Sequence, residues 1–232
     1  MVKNNYIMKH YDSFENIKID KSLIGEEIWA FNKLDGQNLC AKYNARKKEF
    51  QGFGSRKCVV GEDDAMFGNA VKYFKQHYEQ NFLQLIKENS GKKGIFNGVE
   101  EITFYFEWYG DKSFAGFHQE GDELRLALID VFLKKKGYIE PKPFYDTFCN
   151  LDWLETPELI YKGKLTNDFI RSIQENDWTV DGCQYPTVKE GVVARRSTIL
   201  KGQNMPKVKI KTVWWINELH KKYTPEECKE LE

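Results

Sequence analysis

Five charged side chains sit inside β-favouring apolar sequence, where a lone charge is expensive. Lys33 follows the run "WAF" in "FNKLDGQN", Glu107 lies within the aromatic "FYFEWYG", Glu190 opens "EGVV", and Lys209 and Lys211 alternate in "KVKIK". A buried, unpaired ammonium costs several kcal/mol. Lys33 is therefore either an edge residue before a turn or an amine held in a pocket for chemistry. Lys209 and Lys211 stand two apart, so on a strand both point to one face. Each site has an ordinary reading when taken singly. Lys-x-Asp-Gly reads as a hairpin, Glu107 as an outward residue of a half-exposed sheet, and "KVKIK" as a solvated basic face. "EGVV" alone says nothing. All of them together, in this order, are far harder to attribute to accident.

The elements that must position these groups are a mixture of strands and helices. "GEEIWAFNKLDGQNLCAKYNARKKEFQGFGSR" reads as strands ("WAF", "LCAKY") punctuated by "DG", "NARKK" and "GFG". From about Phe67 to Asn89 the residues Val71, Phe74, Tyr78, Phe82, Leu85 and Ile86 recur at three- and four-residue intervals. That spacing predicts an amphipathic helix, ended by the polar, glycine-bearing "KENSGKKGIFNG". Strands resume in "EITFYFEWYG" and "LRLALIDVFL", with "DKSFAGFHQEGDE" as the loop between them. "TNDFIRSIQEND" predicts a helix capped by its threonine, and "EGVVARR" and "PKVKIKT" predict short strands. The tail, about residues 213–232, reads as helical, with Thr224 as N-cap and Pro225 in the first turn. No domain boundary stands out, so residues 1–232 read as one α+β domain.

A chain of 232 residues suits one large domain. Its 35 basic and 35 acidic residues cancel, but the basic clusters "NARKKEF", "LKKKGY", "VARR" and "PKVKIK" leave local phosphate contacts open. The five cysteines are odd in number and widely spaced, with no CxxC pair. They point to reduced thiols and a cytosolic setting. The four histidines are equally scattered and form no zinc motif. No apolar run approaches the ~20 residues of a membrane span, and the N-terminus lacks the apolar core of a signal peptide.

The series "KLDG", "FEWYG", "LALIDVF", "EGVV" and "KVKIK", from about Ile28 to Thr212, resembles the motif series of covalent nucleotidyltransferases: ATP-dependent ligases and mRNA-capping guanylyltransferases. The resemblance implies two antiparallel β-sheets flanked by helices, with a nucleotide-binding groove between them, as in ligase adenylyltransferase (ATP-grasp-like) domains. It implies that the Lys33 amine attacks the α-phosphate of ATP, pyrophosphate leaves, and a lysyl–AMP phosphoramidate remains. An ordinary lysine, with a pKa near 10.4, is neutral in only roughly one molecule in a thousand at physiological pH. Burial, a metal ion or neighbouring lysines are expected to push the pKa of Lys33 down. Asp35 and Gly36 are expected to make the turn, with Gly36 letting the backbone approach the nucleotide. By the same resemblance Lys209 and Lys211 hold the α-phosphate, Arg195 assists, and Asn32 belongs to the nucleotide site. Glu107 accepts a hydrogen bond from the ribose, and Glu190 holds Mg2+ or Mn2+. The base-stacking position falls on Ile129, where the family usually has an aromatic. An aliphatic sandwich, or Phe132, is expected to substitute.

Glutamate rather than aspartate in "EGVV" favours a ligase and ATP over a capping enzyme and GTP. Asn38, where DNA ligases usually place arginine, resembles the nick-sealing RNA ligases of phage type. "FGSRK" resembles the following ligase motif, which implies that Arg56 contacts the nucleic-acid end; Asp130 is expected to help position the terminal ribose. Only about twenty residues follow Thr212, too few for the OB-fold that many of these enzymes append. Nucleic acid is then expected to be gripped by the chain's own basic surface, "NARKK" and "LKKKG", or by an accessory protein or separate domain. "TVWWINEL" reads as a helix buried by its tryptophans. The expectation is an ATP-dependent polynucleotide ligase acting on RNA and joining 5′-phosphate to 3′-hydroxyl ends. A DNA ligase, a capping-type guanylyltransferase and an end-binding module without turnover stay open as alternatives.

Overall fold

The computed structural model describes residues 9–56, 58–111, 118–199 and 205–231. The first strands are β1 (Glu27–Asn32), β2 (Gly36–Asn44), β3 (Glu49–Gly54) and β4 (Val59–Val60). A helical stretch follows: α1 (Gly68–Tyr73), a π-helical turn (Phe74–Tyr78) and α2 (Glu79–Glu88). Next come β5 (Glu101–Tyr109), β6 (Arg125–Leu133), β7 (Gly137–Tyr138), α3 (Pro141–Phe148), β8 (Leu159–Lys164) and α4 (Asn167–Gln174). β9 (Gly191–Arg196), β10 (Lys207–Lys211), α5 (Val213–Lys222) and α6 (Pro225–Leu231) complete the described chain. The strands make two antiparallel sheets, a six-stranded one in the order β4-β3-β2-β5-β6-β7 and a four-stranded one in the order β10-β9-β1-β8. Among the described residues no helix is long and apolar enough to cross a membrane.

Period-two alternation decides what each sheet face carries. In the smaller sheet Ile28 and Ala30 of β1, Val192 and Ala194 of β9, and Val208 and Ile210 of β10 pack with Phe169, Ile170 and Ile173 of α4. Their neighbours Trp29, Phe31, Val193, Arg195, Lys207, Lys209 and Lys211 therefore turn the other way, toward the larger sheet. In that sheet the apolar stripe of the helical stretch (Val71, Phe74, Tyr78, Phe82, Leu85 and Ile86) covers Leu39, Ala41, Phe53, Phe104 and Phe106. The rings meet tilted or edge-on, as Phe82 does with Phe104 at 4.7 Å and Phe74 with Phe106 at 5.5 Å. Burial of each such ring contributes roughly 1.5–3 kcal/mol. The opposite face of β2 and β5, bearing Asn38 and Glu107, is left to the groove.

One irregularity matters for the site. Leu126 and Leu128 of β6 face the helix-covered core, and so do Val131 and Leu133. That parity switch is a β-bulge: Tyr105 pairs with Asp130 but Phe106 pairs with Leu128, so Ile129 has no partner. A bulge re-aims side chains and leaves one backbone group outside the ladder. α3 and β8 carried no sequence expectation. α3 opens with Pro141, at a position where a missing N–H costs nothing. β8 is a half-exposed edge strand.

Candidate active site

Lys33, Leu34 and Asp35 do not form the hairpin turn that "KLDG" suggests. β1 belongs to the smaller sheet and β2 to the larger, so these residues carry the chain from one sheet to the other. The Lys33 N–H still donates to Gly191 O at 2.9 Å. This extends the pairing of β1 and β9 by one residue, so Lys33 keeps the orientation of Trp29 and Phe31 and enters the groove. Gly36 is also required by the packing of its own sheet. A Cβ there would stand 2.4 Å from Trp108 O and 2.7 Å from Tyr109 Cβ, so the backbone of β5 demands the glycine. Gly191, with φ +149, meets the same constraint from Ile210 O at 2.1 Å.

Glu190 lies at the centre of the charged groups. Both of its oxygens are 2.9 Å from Lys33 Nζ, and Oε1 is 3.2 Å from Lys211 Nζ. The Glu190 and Lys211 side chains are 3 % and 1 % exposed, Lys33 21 %. Lys211 Nζ also sits 3.6 Å from the centre of the Trp215 ring, and Trp215 Nε1 donates to Asp35 at 3.1 Å. Thr212 locks this corner. Its N–H donates to Glu190 O, its hydroxyl to Lys189 O, and its Oγ1 caps α5 by accepting from Trp215 N. Trp215 is thus buried core, as expected for "TVWWINEL".

The electrostatics of Lys33 reverse the expectation. Burial pulls its pKa down, but Glu190 and, behind it, Glu107 outweigh burial, and the net direction is upward. The amine is held as an ammonium. Lys211, more deeply buried, is pushed down to about 8 by burial, and Lys209 is also lowered, by burial and by the charges of Lys33 and Arg56.

Across the groove, Glu107 is pushed up to about 7, chiefly by burial and against the pull of Lys33. In the unfolded chain it ionises near the ordinary glutamate value of 4.5. Between those two pH values the folded state binds more protons, so stability falls as pH rises through that window. Glu107→Gln is expected to flatten that slope, read as the denaturation midpoint against pH from about 4.5 to 7; an unchanged slope would contradict this.

Two cavities meet at these residues. The first, about 740 Å³ with its open mouth, is lined by Asn32, Lys33, Glu107 and Lys211 at one end, by Arg195 at the other, and along its length by Lys209, Val193, Ile129, Tyr11 and Phe14. The second, about 1340 Å³ with its mouth, is lined by Asn38, Ser55, Arg56, Cys58, Met66 and Glu190. Lys33, Arg56 and Glu107 border both. Asn38 is opposite Glu107 in the β2–β5 register, so the two share the groove face. Its Nδ2 donates to Phe106 O, while its buried Oδ1 has no hydrogen-bond partner.

The far end of the first cavity departs from expectation. Asp130 is fully buried, ion-paired with Lys207 and with Arg195, and accepts from Tyr11 Oη at 3.1 Å. Its oxygens are turned inward, not toward a nucleic-acid end. Arg195 stands two residue pairs beyond Val193 along β9, opposite Lys207 and remote from Lys211. It donates to Ile129 O, the carbonyl freed by the bulge, and stacks over Phe31 and Phe144. It therefore lies at the end of the cavity away from Lys33 and Lys211. Ile129 does line the cavity; Phe132 instead packs against Tyr138. The clusters "NARKK" and "LKKKG" come together at the opposite end of the larger sheet. There Arg46, Lys134 and Lys135 pair with Glu100, and Lys134 with Glu101. Six residues of β2 separate this end from Asn38, about 20 Å at strand spacing.

No group of three or more metal-ligating side chains occurs among the described residues. Two carboxylates, Glu190 and Glu107, face the groove near one another, coupled through charge. That donor set suits a hard cation which keeps most of its waters and takes few protein ligands.

No protein-family model matches the chain, and no curated protein does. Solved structures do. A mutant of Naegleria gruberi RNA ligase with ATP and manganese is 14% identical over 91% of this chain, with a TM-score of 0.62. The same ligase with pyrophosphate is 13% identical over 93% of the chain, with a TM-score of 0.63. The matches cover 57% and 59% of the ligase chains, so this chain spans under two thirds of their length. The two antiparallel sheets and their flanking helices thus share the fold of this RNA ligase.

Proposed function

We propose that this chain is an ATP-dependent RNA ligase in which Lys33 passes AMP from one cavity to the other. One observation carries the reading: the amine borders two cavities, one with a phosphate-side group of cations and one lined by Asn38 and Arg56. The Lys33 ammonium first gives up its proton to water, which loosening of its ion pair with Glu190 permits. The amine then forms a nitrogen–phosphorus bond with the α-phosphate as the bond to pyrophosphate breaks. Lys209 and Lys211 offset the charge on the reacting phosphate, and Glu107 takes a ribose hydroxyl. A 5′-phosphate seated by Arg56 and Asn38 attacks the same phosphorus and releases the amine. A 3′-hydroxyl then displaces AMP to close the phosphodiester.

Glu190 and Glu107 would hold magnesium or manganese, which, when bound, neutralises phosphate charge and competes with Lys33 for Glu190.

Sealing of matched nicks with RNA or DNA on the 3′-hydroxyl side separates the substrate classes. RNA ends are expected to seal faster by at least about tenfold; faster sealing of DNA ends contradicts the RNA assignment. Covalent labelling by α-labelled GTP in preference to ATP would instead mark a capping-type enzyme, and adduct formation without sealing a module that has lost turnover.

A further inference from the structure

Residues 9–17 lie outside every motif and yet form part of the cavity wall. Their backbone is tied to the phosphate-side strand: Lys209 N donates to Glu15 O at 3.0 Å, and Ile17 N to Lys209 O at 2.8 Å. Their side chains are tied to the other sheet. Tyr11 donates to Asp130, Tyr138 donates to Asp12, and Tyr105 donates to Lys9 O. His10 Nδ1 lies 2.8 Å from Ser55 O, next to Arg56. The segment is a strap joining both sheets across one end of the cavity.

Phe14 is the half-buried aromatic of this strap and lines the cavity with Ile129 and Val193. Its ring stands edge-on to Tyr11, with centroids 6.1 Å apart, and 5.9 Å from Lys209 Nζ. The side that the ladder leaves aliphatic, at the bulged Ile129, thus has an aromatic brought to it from another part of the chain. Arg195 borders the same end, its guanidinium committed to Ile129 O and to the ion pair with Asp130.

Resting on the ATP reading of this cavity, we propose that Phe14 is the platform on which the purine stacks, opposite Ile129. The strap is then a specificity element: the backbone pairing that places Phe14 also places Lys209, so base and phosphate are gripped from one rigid unit.

The test is equilibrium binding of ATP and of inorganic tripolyphosphate, both with magnesium, to the full chain and to Phe14→Ala, Phe14→Leu and Phe14→Tyr. Stacking on an aromatic predicts that Phe14→Ala weakens ATP roughly five- to 150-fold and leaves tripolyphosphate unchanged, since the latter has no base. Phe14→Tyr should bind ATP as the parent does, and Phe14→Leu should not. Unchanged ATP binding in Phe14→Ala overturns the proposal. So does an equal loss for tripolyphosphate, which would mean a collapsed strap, or full recovery by leucine, which would mean burial alone. A parent chain that binds ATP through Phe14 but never labels Lys33 overturns the ligase reading and leaves the platform standing. A parent chain that does not bind ATP overturns both.

Discussion

Lys33→Arg is expected to abolish the covalent adduct with AMP, by at least about a thousandfold, while leaving the fold intact. Arginine keeps a positive charge beside Glu190, so the ion pair at the crossover between the sheets survives. A guanidinium, which stays charged throughout the working pH range, cannot supply a neutral nitrogen. Lys33→Ala should lose the adduct equally, but it also removes one of the two cations on a carboxylate that is 3 % exposed. The arginine variant therefore separates chemistry from structure. Labelling with α-labelled ATP, followed by denaturing electrophoresis, reads the adduct, and thermal unfolding reads the fold. An arginine variant that still takes the label would show that the amine at position 33 is not the nucleophile.

Removal of Glu190 is expected to have the second-largest effect, and it acts in two directions. Breaking a buried ion pair by deleting one partner costs about 3–5 kcal/mol, and Lys211, 1 % exposed, is the partner left behind. Glu190→Ala should therefore be destabilised by about 3 kcal/mol in denaturant titrations, and Glu190→Gln by less. Adduct formation should fall on the order of a hundredfold in both, as for loss of a group that orients a metal and its ligands. The reactivity of Lys33 toward a small amine-modifying reagent should move the other way. Glu190 is the foremost of the charges that hold the ammonium on Lys33, so its loss lowers the pKa and raises the neutral fraction at a given pH. If the pH midpoint for Lys33 modification in Glu190→Gln stays where it is in the parent, Glu190 is not the group that keeps the amine protonated.

The groups that could be read from sequence are those fixed by local periodicity. Lys209 and Lys211 share a face because Val208 and Ile210 are needed against α4, and alternating apolar residues report that directly. The helical stretch from Gly68 to Glu88 shows its apolar stripe in the same way. Glu107 and Glu190 stand out because a charge in an apolar strand needs a partner, and the structure supplies one for Glu190 in Lys33 and Lys211.

What escaped the sequence depends on long-range pairing. Nothing local distinguishes a hairpin at "KLDG" from a crossover between two sheets. The direction of the Lys33 shift depends on Glu190, 157 residues away. Asp130 and Arg195 look like site residues by motif position, but the bulge at Ile129 sends Asp130 into a buried cluster with Lys207 and ties Arg195 to the freed carbonyl. A signal for the bulge was present, since apolar residues sit at 126 and 128 and then at 131 and 133. Phe14 gave no signal at all: one aromatic in a polar stretch acquires its place only when Glu15 and Ile17 pair with Lys209.

The most direct measurement is the site of the adduct itself. After incubation with ATP and magnesium, then tryptic digestion kept away from acid, the peptide Ser22–Lys42 should carry one AMP, with cleavage at Lys33 blocked by the modification. AMP on a different lysine, or complete cleavage at Lys33 in protein that carries the label, would contradict the assignment of this amine as the nucleophile.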